Sequence, residues 1–124
     1  MDLRWERGQT QIHWAYAESQ VHKTYPAPPG DVLAWPDPPS VIVIEAQDES
    51  NPRVDNAVVL NPDGTERLRL EPPAVVPERH WNIGFYTIYA EPGGLVAVFS
   101  TQVGDYWGRP DLHTGKLSNI AQWR

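Results

Sequence analysis

Cysteine is absent from the 124-residue chain. Disulfides, thiolate zinc sites, iron–sulfur clusters and cysteine nucleophiles are therefore excluded. Lysine is nearly absent, occurring only at Lys23 and Lys116. Acids outnumber bases 16 to 10, a net charge of −6. Phosphate binding needs clustered Lys and Arg, so no nucleic-acid or anionic-lipid partner is expected. No apolar run approaches the roughly 18 residues of a spanning helix. The start, Met1-Asp2-Leu3-Arg4-Trp5-Glu6-Arg7, lacks the apolar stretch of a signal peptide. The expectation is a cytoplasmic protein with no membrane partner. Sustained helical periodicity is missing as well. The 13 prolines exclude a helical bundle, since each interior proline costs about 3 kcal/mol.

What is present reads as β structure in one domain, 1–124. Gln11 to Ala17 alternates, with Ile12, Trp14 and Tyr16 on one face and Gln11, His13 and Ala15 on the other. Val41-Ile42-Val43-Ile44 is β-branched and too short for a helix. Ala57–Asn61 and Thr65–Leu70 flank Pro62-Asp63-Gly64, which is hairpin chemistry. On the return strand the pattern puts Glu66, Leu68 and Leu70 on one face and Arg67 and Arg69 on the other. Phe85–Ala90 and Leu95–Gln102 flank Glu91-Pro92-Gly93-Gly94. Both faces of this second hairpin are apolar, so it is expected at the centre of a sheet. Phe85, Tyr86, Ile88, Val96, Val98 and Phe99 should be buried there. A third turn, Asp111 to Lys116, precedes a tail that reads as a strand or one helical turn. Residues 26–39 hold six prolines around Val32, Leu33 and Trp35. They should form an extended connection packed across the sheet. The fold expected is all-β: a small antiparallel sandwich or a strongly bent meander of successive hairpins, with this proline-rich crossing and little helix.

Catalytic signatures are missing. There is no phosphate loop, no G-x-S-x-G elbow and no H-E-x-x-H pair. The histidines His13, His22, His80 and His113 form no tight pair in sequence. Asp111-x-His113 sits in a turn, where Asp111 should bind turn amides and leave His113 in solvent. No catalytic residue, metal ligand or cofactor is assigned. An enzyme would need a pocket where His80, Asp105 or Asp111 converge, or acid–base work from Glu45 and its acidic neighbours.

Two features point to binding. Six tryptophans are unusual in 124 residues, and Trp107 lies in Gly104-Asp105-Tyr106-Trp107-Gly108-Arg109-Pro110, read as a glycine-bounded loop. Exposed aromatics beside charges make a binding edge, which nominates Asp105, Tyr106, Trp107 and Arg109. Residues 31–55 carry six acids and one base. Such a block steers basic partners, nominating Glu45, Asp48 and Glu49. Neutralising these three together should slow association and leave the fold unchanged. The Arg-, Ala- and Pro-rich composition suggests a GC-rich, bacterial genome. The reading is a non-catalytic bacterial protein-interaction domain, most concretely an immunity-type protein that blocks a cognate toxin. Its alternatives are a small-ligand or carbohydrate-binding module using the loop aromatics, and an enzyme with a non-motif site.

Overall fold

The computed structural model describes residues 1–48 and 52–123. Glu49 lies outside the described residues. Among the described residues there are ten strands: β1 (Gln11–Tyr16), β2 (Ser19–Thr24), β3 (Asp31–Pro36), β4 (Pro39–Ile44), β5 (Ala57–Leu60), β6 (Glu66–Arg69), β7 (Asn82–Glu91), β8 (Gly94–Thr101), β9 (Gly104–Pro110) and β10 (Leu117–Gln122). One short 3-10 turn, Arg79–Trp81, precedes β7. The strands form three antiparallel sheets: the hairpin β1-β2, the meander β3-β4-β5-β6 and the meander β7-β8-β9-β10.

The β3–β6 sheet lies between the other two. Val41 pairs with Leu60, Ile42 with Val59, Val43 with Val58 and Ile44 with Ala57. Every one of these side chains is buried. Ile42, Ile44, Ala57 and Val59 pack with Phe85, Ile88, Leu95, Ala97 and Phe99 of β7 and β8. Val41, Val43, Val58 and Leu60 pack with Ile12 and Trp14 of β1. A strand buried on both faces has no need to alternate, which is why β4 and β5 are continuous apolar runs. Trp14 is fully buried, and its Nε1 donates to the Pro62 carbonyl at 2.7 Å, fixing the first hairpin on the sheet.

The centre of the fold is therefore β4–β5 rather than the β7–β8 hairpin. β7 is the edge of its sheet, and two register shifts, around Ile83 and around Tyr86, break its alternation. A bulge places two residues opposite one and turns the side chains that follow. Phe85 and Ile88 both face the core, while Tyr86 is 57% exposed. The remaining five residues of the expected set, Phe85, Ile88, Val96, Val98 and Phe99, are buried. A further shift moves Glu66 opposite Leu60, while Arg69 pairs with Val58. Glu66 thus shares the face of Arg69, its ion-pair partner at 3.4 Å, instead of the leucine face.

The proline-rich stretch is extended and partly buried, but it runs within a sheet instead of across one. Its Asp31–Pro36 part is the edge strand β3, and Pro36 lies opposite Pro39. Edge strands tolerate proline because one side of the ladder needs no donor. The tail is strand β10. Among the described residues no helix is long and apolar enough to cross a membrane.

Candidate functional site

A cleft of about 450 Å³ opens where the β2–β3 connection meets the chain leaving β4. Its wall is Tyr25, Pro26 and Ala27 on one side and Glu45, Ala46, Gln47 and Asp48 on the other, with Arg53, Asn56 and Arg69 completing it. Two amide side chains build its floor against β7. Asn56 is 2% exposed. Its Nδ2 donates to the carbonyls of Glu45 (3.0 Å) and Phe85 (2.9 Å), and its Oδ1 accepts the Phe85 N–H (2.7 Å). It thus satisfies Phe85 as a neighbouring strand would, on an edge otherwise open to pairing. Gln47 does the same between Arg53 and Ile83. Its Nε2 donates to the Arg53 carbonyl (2.7 Å) and the Ile83 carbonyl (3.3 Å). Both amides crowd Gly84, where any Cβ would collide with Gln47 Nε2 and Asn56 Oδ1. Further along β7, Asp31 Oδ2 accepts from Thr87 Oγ1 (2.5 Å) and the Ile88 N–H (3.2 Å).

The charges of the cleft are organised in pairs. Arg69 binds both carboxylate oxygens of Glu45, at 2.6 and 3.2 Å, and also donates to the Asp55 carbonyl. Arg53 forks onto Asp55 at 2.9 and 3.0 Å. That hydrogen bonding holds the Asp55 carboxyl below the usual range. Two carboxylates (Glu45, Asp48) and two guanidinium groups (Arg53, Arg69) line the cleft, and the carboxylates of Asp55 and Glu66 pair with those guanidinium groups from outside its lining. The Tyr25 phenol is pushed up to about 12, chiefly by burial and next by the Glu45 carboxylate, with Arg69 opposing. At neutral pH the phenol is protonated, and Tyr25 lines the cleft.

Glu45 is thus the anchor of Arg69 more than a free steering charge. Asp48 stands on the cleft wall. The β9 residues lie elsewhere and do not form one loop edge. Gly104 to Pro110 is a strand. Gly108 is a packing residue there: a Cβ would come within 3.1 Å of the Leu117 side chain. Tyr106 pairs with Phe99 on the core-facing side, and Trp107 pairs with Val98 on the outer side. Asp105 pairs with Ser100, and its carbonyl accepts the Trp123 N–H. Arg109 lies over the Trp107 ring at 5.1 Å and is held there by Glu91 Oε1 (2.6 Å) and the Leu95 carbonyl.

Sequence reasoning missed the exposed apolar strip at the start of β7. Ile83 is 47% and Tyr86 57% exposed, with Val103 also in solvent at the β8–β9 turn. Tyr86 meets Trp123 edge-to-face at 6.3 Å, and Trp123 Nε1 donates to Tyr89 Oη at 3.3 Å. The indole therefore reaches from β10 across the outer face of the sheet to β7. The strip and the cleft adjoin, because Gln47 of the cleft binds the Ile83 carbonyl. The bulges that create the strip leave no mark in the residue pattern.

Asp111 borders a shallow recess with Trp35 and His113, and neither His80 nor Asp105 lines it. Asp111 accepts the His113 N–H at 2.8 Å, the turn bonding expected of it. No three His, Asp or Glu side chains among the described residues converge as a metal site. The chain matches no protein-family model, no curated protein and no solved structure.

Proposed function

We propose that the chain is a non-catalytic protein-interaction domain that seats a basic partner on the cleft and the adjoining strip of β7. The observation that carries this reading is the junction itself: a cleft walled by the carboxylates of Glu45 and Asp48 beside solvent-exposed Ile83 and Tyr86, on a chain of net charge −6. Aromatic and aliphatic anchors ringed by charge are the arrangement of interface hot spots. The acidic rim would guide a basic surface to the site, and the apolar strip would hold it. The most concrete form is a bacterial, cytoplasmic, immunity-type protein that occupies a cognate toxin. A nucleic-acid partner does not suit the charge.

The cleft also favours a second reading, a small polar ligand held by the Tyr25 hydroxyl. Its volume lies in the usual ligand range of about 300–1,000 Å³. A sugar platform at Trp107 is less suited, since Arg109 occupies one face of that ring.

The test is affinity capture from the source lysate on wild type and on Ile83→Ser/Tyr86→Ser, read by quantitative mass spectrometry. The reading expects a basic protein enriched by wild type and lost from the variant. For the immunity form, that protein is toxic when expressed alone and harmless when co-expressed with this chain. Equal recovery on both baits, or none on either, overturns the surface.

A further inference from the structure

The first hairpin carries a juxtaposition that the sequence spacing hides. A two-residue turn at Ala17-Glu18 sets the register of β1 and β2, and His13 falls directly opposite His22. Their ring centroids are 5.7 Å apart, tilted by 37°. The His13 N–H and carbonyl bond to Arg4 on the other side, at 3.2 and 2.8 Å. Toward β2 the histidines are therefore a non-hydrogen-bonded pair, the kind whose side chains approach most closely. Ile12 and Trp14 take the buried face of β1, so both imidazoles are on the outer face. His22 Nε2 is 3.1 Å from Gln11 Oε1, an oxygen on the same face.

We infer that His13 and His22 form a two-imidazole chelate for one divalent transition-metal ion of the zinc and nickel type. Such ions favour imidazole nitrogen. Two imidazoles bound at about 2.0–2.1 Å to a tetrahedral ion hold their ring centres roughly 5 Å apart. The observed centroid separation of 5.7 Å is close to that value. Water completes the coordination, since among the described residues no third protein ligand converges. Arg4 lies beside His13 and opposes a cation there, but its guanidinium is tied to Asp2 at 3.2 Å. The Asp2 carboxylate borders the same recess as His13, which moderates the repulsion. A bound ion would bridge β1 to β2 and stiffen the hairpin that covers the central sheet.

The test is isothermal titration of the full chain with Zn²⁺ and separately with Ni²⁺, together with melting curves. The variants are His22→Gln, which alters an exposed side chain, and the remote double variant His80→Gln/His113→Gln. Wild type should bind one ion, and its melting temperature should rise with metal. His22→Gln should bind at least about tenfold more weakly, because chelation gives the second ligand a high effective concentration. The remote variant should bind as wild type does. Unchanged affinity in His22→Gln, lost affinity in the remote variant, or no binding by wild type overturns the site.

Discussion

Asn56, Gln47 and Asp31 close the free edge of β7 without adding a strand. Each uses a short polar side chain to satisfy backbone groups of Phe85, Ile83 or Ile88. Sequence alone gives no sign of this, because the partners lie 29 to 57 positions away. Tyr25 is a second residue whose state is set at a distance. Its hydroxyl is shifted from 10.0 to about 12, first by burial and then by Glu45. Folding favours the protonated phenol, so its contribution is complete below pH 10. It is lost as pH rises through about 12. A spectrophotometric titration of tyrosinate should therefore show a component near pH 12 in the wild type. Tyr25→Phe should remove it. If the component survives the substitution, Tyr25 is not the buried phenol of the cleft.

Among the strands, alternation and turn chemistry made the hairpins legible. Pro62-Asp63-Gly64, Glu91 to Gly94 and Asp111 to Lys116 all connect adjacent antiparallel strands. What the pattern could not reveal was which strands are covered twice, or where a strand slips by one residue. β8 is nearly as apolar as β4, yet of the two only β4 has a sheet on each side; Val96 and Val98 of β8 are buried but belong to neither inter-sheet cluster. Trp107 lies in a strand and not a loop for a related reason: Gly104 and Gly108 resemble loop boundaries, but Gly108 serves close packing against Leu117. The His13–His22 pair was readable in principle, since a two-residue turn after Tyr16 fixes that register. Phe99 and Tyr86 separate these effects experimentally. Phe99 is fully buried and packs edge-to-face on Phe85 at 5.1 Å, so Phe99→Ala should cost about 3–5 kcal/mol in a denaturant titration. Tyr86→Ala removes an exposed ring and should cost about 1 kcal/mol or less. Equal losses would mean that the bulge in β7 is misplaced.

At the scale of the whole molecule, the charge of −6 is distributed less simply than its clustering in residues 31–55 suggests. Asp31, Glu45 and Asp55 are engaged by Arg7, Arg69 and Arg53. Neutralising Glu45 would leave Arg69 without its bidentate partner, so it cannot serve as a probe of steering alone. The charge variant therefore spares Glu45 and neutralises Asp48, which lines the cleft, together with Glu49. The account assigns two jobs to adjoining parts of one surface: carboxylates that guide a basic partner and apolar side chains that retain it. Guidance appears in the association rate and fades with salt, over a Debye length of about 8 Å at physiological ionic strength. Retention appears in the dissociation rate. The most direct measurement is surface-plasmon kinetics of the captured partner at two ionic strengths, on wild type, Asp48→Asn/Glu49→Gln and Ile83→Ser/Tyr86→Ser. The account predicts slower association for the charge variant at low salt only, and faster dissociation for the apolar variant at both salts. Charge and apolar variants that both leave association and dissociation at the wild-type values would contradict it.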